Sequence, residues 1–336
     1  MKGTLPGALV GLAERLGDAA AYREKEYGIW QEISWREAFS RVRRFSCGLA
    51  ALGVQPGDRV AIIGDNRPEW GLAELGAQAL GAIPVGMYQD AVVRELIHVL
   101  SAADVKAVVA EDQEQVDKVL EARTHAPGVQ HIVYYEPKGL FGYDAPGLIG
   151  FSEVEELGAA AEARDPGAFD ERLSALSEDD VALLCTTSGT TSKPKLAMLS
   201  HNNLLAMARQ YHPVDPMPPD DEYVSFLPLA WIGEQMIVVS TGLTVGFTVS
   251  FPEETSTVRR DIREIGPHVM VSPPRIWENL VSDIQVMAED TTPVKRRAFD
   301  WAMKLGRVVA DARFGGGVVS RSVRIRHALA EWAVLA

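Results

Sequence analysis

Cysteine is nearly absent: the chain has two in 336 residues, Cys47 and Cys185, 138 positions apart. That spacing and number exclude a disulfide framework and a Cys-rich zinc site, and they suit a reducing compartment. Positive charge is also short, with 33 Lys and Arg against 46 Asp and Glu and a net charge of −13. A general nucleic-acid binder needs a basic face to neutralise phosphates, so that class is excluded. No long uninterrupted apolar run is present either. The uncharged stretch Gln235 to Pro252 is broken by Gly, Thr and Ser and reads as a helix, a turn and a buried strand, not as a membrane span. The apolar residues after Met1-Lys2-Gly3 are soon interrupted by Glu14 and Arg15, which is not a secretory leader. A cytoplasmic protein with at most peripheral membrane contact is expected. Two common phosphate motifs are missing as well, Gly-x-x-x-x-Gly-Lys-Ser/Thr and the strand-linked Gly-x-Gly-x-x-Gly.

What is present is a globular composition, 47% apolar and 24% charged, in a length that suits one large or two ordinary domains. Charge is uneven: from Pro293 onward nine Lys and Arg stand against three acidic residues, a local +6 in an otherwise acidic chain. A solvated helical face accounts for it, and so would weak attraction to anionic lipid or an acidic partner.

Helical and strand patterns alternate. Ser34-Trp35-Arg36-Glu37 is a capping box opening a helix with apolar positions Ala38, Val42, Phe45 and Leu49. The spacing predicts strands at 59–64, 83–86, 106–110 and 131–135, with helices at 68–80, 92–100 and 116–122 between them. The loop 137–150, with four glycines and two prolines, is the expected internal boundary. Strands at 181–186, 223–227, 243–251 and 268–271 and a helix at 202–209 follow, and beyond Pro274 the pattern is wholly helical. Strands separated by helices imply right-handed crossovers and a parallel sheet. Trp70, Trp277 and Trp301 read as core.

The chemistry concentrates at Thr186-Thr187-Ser188-Gly189-Thr190-Thr191-Ser192-Lys193-Pro194-Lys195, directly after the apolar strand Val181-Ala182-Leu183-Leu184. Six hydroxyls in seven positions suit neither a core nor a helix. Gly189 permits a tight turn with successive N–H groups on one side, and hydroxyls and lysines around such a concavity suit a polyphosphate. A solvated Ser/Thr loop is the alternative from composition alone. The seven histidines show no metal-ligand spacing. Asp179-Asp180 reads as a turn and Cys185 as a strand residue.

Residues 186–195 resemble the phosphate loop of the adenylate-forming (AMP-binding) superfamily. Ser200-His201-Asn202-Asn203 and Phe226-Leu227-Pro228-Leu229-Ala230-Trp231-Ile232-Gly233-Glu234 are similar to the family's next motifs. Val271-Ser272-Pro273-Pro274-Arg275-Ile276-Trp277-Glu278 resembles a segment of its long-chain acyl-CoA synthetase branch. Upstream, Ile33-Ser34-Trp35, Leu52 to Asp58, Asn66-Arg67-Pro68-Glu69-Trp70 and Gly81 to Val85 follow the family too, so the likeness runs from about residue 20 to 300.

The resemblance implies an α/β fold, the N-terminal domain of an acyl-CoA synthetase-like enzyme, with mostly parallel sheets in two subdomains at 1–140 and 151–290. A helical segment, 291–336, would follow. It implies ATP, Mg²⁺ and coenzyme A, with a fatty acid activated through an acyl-adenylate. By this likeness Thr187, Ser188, Gly189, Thr190, Thr191 and Lys195 hold the phosphates, Thr187 also helps hold Mg²⁺, and Trp231 and Glu234 line the carboxylate pocket. Departures are Ser192 and Leu196, each for a family Gly, and Trp231 for a common His. The family's Tyr-Gly-x-Thr-Glu segment, its ribose aspartate and its catalytic lysine have no counterpart, so the chain resembles an N-terminal portion. The final helix, with Ile325, Leu329 and Trp332, is expected to carry a poorly covered apolar strip. A nucleotide- or acyl-binding fragment or partner subunit without turnover, and a synthetase acting on an aryl or amino acid, are the other readings.

Overall fold

A computed structural model of the chain describes residues 3–187 and 194–332. Among them the strands are β1 (Ala20–Glu26), β2 (Ile29–Ser34), β3 (Arg59–Ile63), β4 (Ile83–Met87), β5 (Val105–Ala110), β6 (His131–Tyr134), β7 (Leu148–Gly150), β8 (Val181–Thr187), β9 (Lys195–Ser200), β10 (Glu222–Val224) and β11 (Thr248–Phe251). A seven-stranded sheet runs β7-β6-β5-β3-β4-β8-β9, parallel except for β8 against β9. Its middle strands are apolar on both faces. Val60 to Ile63 and Ala107 to Ala110 are fully buried, which is why they read as continuous apolar runs.

The crossovers explain the layers. From β3 the chain steps to β4 through the helix Pro68–Leu80, then returns across β3 to β5 through Val93–Ala102. Right-handed crossovers in opposite directions place their helices on opposite faces. On one face Leu96, Val99, Leu100, Val116 and Val119 join Ala61, Ile63, Val85 and Val108 in one core. On the other, the helices Trp35–Ala51, Pro68–Leu80 and Phe151–Arg164 lie against one another. Gly48 and Gly158 let two of these backbones touch: a Cβ on Gly158 would stand 1.7 Å from the Arg44 carbonyl oxygen. Phe45 and Phe151 stack beside that crossing, with centroids 4.3 Å apart.

A second sheet runs β10-β11-β1-β2. Each sheet therefore takes strands from both sides of the 137–150 loop, where the sequence placed its boundary between 1–140 and 151–290. Contacts divide the chain instead into Met1–Met270 and Val271–Ala336. Strand pairing is non-local and leaves no mark on the periodicity of either partner, so a Gly/Pro-rich loop looked like a boundary. The hairpin β1–β2 supplies Lys25, which is 2% exposed and bonded to the fully buried Asp261 at 2.8 Å.

Three expected elements differ. The strand expected at 223–227 ends at Val224. The strand expected at 243–251 is only Thr248–Phe251. Ile232–Gln235 continues as a π-helical turn, Met236–Thr241, then as Gly242–Val245, and ends at Gly246 with φ +96°. The strand expected at 268–271 is a single bridge, Tyr223 to Val269.

The unit Val271–Ala336 holds the helices Pro274–Glu289, Pro293–Phe314 and Arg321–Ala330. Ala302, Leu305 and Ala330 form its small core. Trp277 and Trp301, expected as core, are 42% and 36% exposed. Ile325, Leu329 and Trp332 are exposed, as expected of that strip. No helix among the described residues is long and apolar enough to cross a membrane.

Candidate functional site

In open parallel sheets ligands bind beyond the carboxyl ends of the strands, where the direction of winding reverses. Here the winding reverses at β3, whose neighbours β4 and β5 lie on either side. A cavity of about 250 Å³ opens there, lined by Gly64, Asn66, Tyr88, Ser225, Pro228 and Glu253 among others. Gly64 turns the chain away from β3 with φ +154°, and a Cβ on it would lie 2.4 Å from the Tyr135 hydroxyl. Only glycine fits.

The residues after Gly64 tie the two sheets together. Arg67 donates through Nε to Glu111, just past β5, and through Nη1 to Glu24 of β1, both at 2.8 Å. Burial pushes both carboxyls above the usual range while Arg67 pulls them down. Asn66 faces the other wall. Its Nδ2 donates to Ser225 Oγ at 2.8 Å and to the Leu227 carbonyl at 2.6 Å, and its Oδ1 accepts from Leu229 N–H at 2.9 Å.

Behind that wall lies Glu234. It is 1% exposed and accepts from Tyr223 Oη at 2.9 Å and Ser225 Oγ at 2.7 Å. Burial pushes its pKa up to about 8. The likeness set Glu234 in the carboxylate pocket, but both of its oxygens are engaged inside the protein. It reaches the cavity wall through Ser225 Oγ and through the Phe226 and Leu227 N–H groups. Trp231 is half-buried, with its ring over Gly233, where a Cβ would meet it at 2.3 Å. Ala230 lies on Gly86 of β4, 3.2 Å from where a Cβ would be, and its carbonyl faces Cys185 Sγ of β8 at 3.8 Å. The Ser225–Trp231 segment is thus laid over the ends of β3, β4 and β8.

The phosphate-loop candidates divide. Ser188, Gly189, Thr190 and Thr191 lie outside the described residues. Thr187 and Lys195 are described as an exposed cross-strand pair at the ends of β8 and β9, with Thr187 Oγ1 donating to the Lys195 carbonyl at 3.4 Å. Thr186 Oγ1 beside them is buried without a partner. No cluster of three or more His, Cys, Asp or Glu suited to a metal ion occurs among the described residues. The base of the loop therefore stands beside the end of β4, with the Ala230–Trp231 segment on its flank.

Two motif residues turn out to be architectural. Ser200 and Asn203 form a reciprocal capping box, and His201, 2% exposed, accepts from Leu5 N–H through Nδ1 at 3.3 Å. Burial lowers its pKa to about 4, so it is neutral and does not read as a proton shuttle. Sequence reasoning assigned no role to Asn66, Arg67, Glu74, Glu111 or Ser225. Glu74 is fully buried and accepts from Gln235 Nε2 at 2.7 Å, and burial pushes it up to about 7. The readable signal was Asn66-Arg67 between an apolar strand and Pro68 at a helix start, the strand-end position where sites in such sheets gather.

A family model described as "AMP-binding enzyme" matches residues 12–328. A long-chain-fatty-acid–CoA ligase of Bos taurus is 29% identical over 299 residues, 87% of this chain and 40% of that protein. One from Mycobacterium bovis is 29% identical over 320 residues, 93% of this chain and 50% of that protein. The chain thus spans half or less of these relatives. Among solved structures, a long-chain-fatty-acid-CoA ligase from Archaeoglobus fulgidus superposes with TM-score 0.65 at 20% identity, over 79% of this chain and 50% of that one. The A-PCP didomain of a carboxylic acid reductase from Segniliparus rugosus, in complex with AMP, gives 0.66 at 21% identity, over 89% and 47%. With a family model covering most of its length and a parallel sheet whose carboxyl ends carry the cleft, the chain belongs to the AMP-binding enzyme family.

Proposed function

We propose that the chain supplies the nucleotide- and acyl-binding half-site of an ATP-dependent acyl-CoA synthetase acting on a long-chain fatty acid. The observation that carries this is the convergence of three parts on the ends of β3, β4 and β8: the base of the hydroxyl-rich loop, the cavity, and the Ser225–Trp231 wall. In this reaction class a carboxylate oxygen attacks the α-phosphorus of ATP and pyrophosphate leaves; the thiol of coenzyme A then displaces AMP. Such chemistry needs positioning and charge neutralisation more than a protein nucleophile. Thr187, Ser188, Gly189, Thr190, Thr191 and Lys195 are the residues assigned to the β- and γ-phosphates. Trp231 borders the carboxylate, and Glu234 fixes the wall from behind. Thr187, exposed at the end of β8, would offer Mg²⁺ a hydroxyl oxygen, and no cluster of three or more His, Cys, Asp or Glu suited to a metal occurs among the described residues; the ion fits here as a companion of the nucleotide's phosphates. A cytoplasmic setting and a place in lipid metabolism accord with this reading.

A second reading is that this stretch of sequence, taken alone, binds nucleotide and acyl chain without turnover. ATP–pyrophosphate exchange by the 336-residue chain, with Mg²⁺ and fatty acids from short to long, separates the two when run beside equilibrium binding of ATP and of palmitate. Exchange that peaks with long acids supports adenylate formation by this chain. Binding of both ligands without exchange supports the second reading, and binding of neither contradicts both.

A further inference from the structure

The wall of the cleft has an unusual support. β10 ends at Val224, and beyond it only Ser225 N–H reaches a neighbouring strand residue, the Ser250 carbonyl at 2.9 Å. Backbone groups outside a ladder must find partners elsewhere. For the Leu227 carbonyl and the Leu229 N–H the partner is one side chain, Asn66, which belongs to the turn leaving β3 in the other sheet; the Leu229 carbonyl accepts from Gln235 Nε2 at 3.0 Å, and the Phe226 and Leu227 N–H groups donate to Glu234. A third bond from Asn66 reaches Ser225 Oγ, and that hydroxyl donates onward to Glu234. A donor pair and an acceptor on one short, uncharged arm is what this arrangement requires. Aspartate lacks the donors, and leucine of similar size lacks both functions.

We propose that Asn66 is a positioning residue, which sets the depth of the Ser225–Ala230 wall against the ends of β3 and β4 and thereby the affinity of the cleft for the fatty-acid carboxylate. The inference rests on reading this cleft as the carboxylate site. Arg67, the next residue, makes a useful contrast. It joins the sheets through Glu24 and Glu111 and has no hydrogen bond to the wall in the structure. Register of the sheets and depth of the wall are thus held by adjacent but different side chains.

The test uses the full 336-residue chain with Asn66→Asp, which keeps the acceptor for Leu229 N–H and removes both donors, with the uncharged Asn66→Leu, in which the loss must recur if it is not like-charge repulsion of the carboxylate, and with Ser225→Ala, which removes only the hydroxyl link. Palmitate and ATP are titrated separately, and amide exchange is followed across residues 225–231. Expected are a roughly tenfold loss of palmitate affinity in Asn66→Asp and about threefold in Ser225→Ala. ATP affinity should stay within about twofold, and exchange at 225–231 should quicken in Asn66→Asp at unchanged global stability. Unchanged palmitate affinity, or equal losses for both ligands that track the folded fraction, would overturn the proposal. If the unsubstituted chain binds neither ligand, the functional reading itself fails. The exchange experiment still decides the clamp: faster exchange in Asn66→Asp supports it, and unchanged exchange overturns it.

Discussion

Two kinds of buried carboxylate hold this molecule together, and they behave oppositely. Asp261, on the helix Val258–Ile265, is buried with a cation: Lys25 of β1 reaches it at 2.8 Å, and Thr257 and the Glu253 N–H also donate to it. Those donors hold its pKa below the usual range despite burial. Glu74 and Glu234, behind the cleft, are buried with amide and hydroxyl partners only, and burial pushes them up to about 7 and about 8. The first kind costs desolvation and recovers it by Coulomb attraction. The second kind is held by neutral donors and is most stable when protonated. Both lie beside the cleft: Asp261 anchors the loop whose Glu253 lines it, and Glu234 anchors Ser225.

The largest effect should come from breaking the paired carboxylate. Asp261→Ala leaves Lys25 buried with only the half-exposed Glu264, and a loss of about 3 kcal/mol is expected in urea unfolding. A loss under about 1 kcal/mol would mean that the pair is not desolvated in solution. Next is the unpaired class. A carboxyl raised in the folded state contributes stability that is fully present below its unfolded pKa and is lost as pH rises through the folded value. Stability should therefore decline between about pH 4.5 and 8 through Glu74 and Glu234. The double substitution Glu74→Gln, Glu234→Gln should flatten that decline, read as unfolding midpoint against pH. An unaltered slope would show that these groups titrate normally.

His201 acts in the other direction. Its lowered pKa makes stability fall as pH drops from about 6.5 to about 4, and His201→Gln should remove that part of the acid limb. A limb of the same steepness in the variant would assign it to other groups. The smallest effect belongs to Arg36, paired with Asp18 at 3.4 Å while both are largely exposed. Arg36→Ala should change stability by no more than about 0.5 kcal/mol, and a larger change would blur the distinction between buried and surface charge.

The sequence announced some of this arrangement and hid the rest for identifiable reasons. Val60 to Ile63 of β3 and Ala107 to Ala110 of β5 are fully buried runs, and their apolar continuity is a local property, so a parallel sheet was legible. Ser34 and Ser200 cap helices through the N–H groups of Glu37 and Asn203, three residues on, again a local pattern. The exchange of strands across the 137–150 loop was not legible, because β1 meets β11 through contacts more than two hundred positions apart. The helical turn at 242–245 reads as strand because a short apolar run looks alike in either geometry, and Leu243 and Val245 are buried all the same. At the site, the Phe226–Glu234 motif was visible. Glu234's service as a buried anchor depends on Tyr223 and Ser225, at the end of β10, meeting Asn66 from the other sheet, which spacing alone does not encode. Trp277 and Trp301 show the converse: a helical apolar pattern fixes which face is apolar, not whether anything covers it.

That contrast supplies the most direct test of where the acyl substrate goes. The ordered cleft at 64–67 and 225–231 and the exposed apolar helices beyond residue 270 are two very different places for a fatty acid. Palmitate carrying a photoreactive group next to its carboxylate should label the residues around Asn66 and Ser225–Trp231, and excess unlabelled palmitate should suppress that labelling. Labelling confined to the helices of 274–330 would contradict the assignment of the cleft.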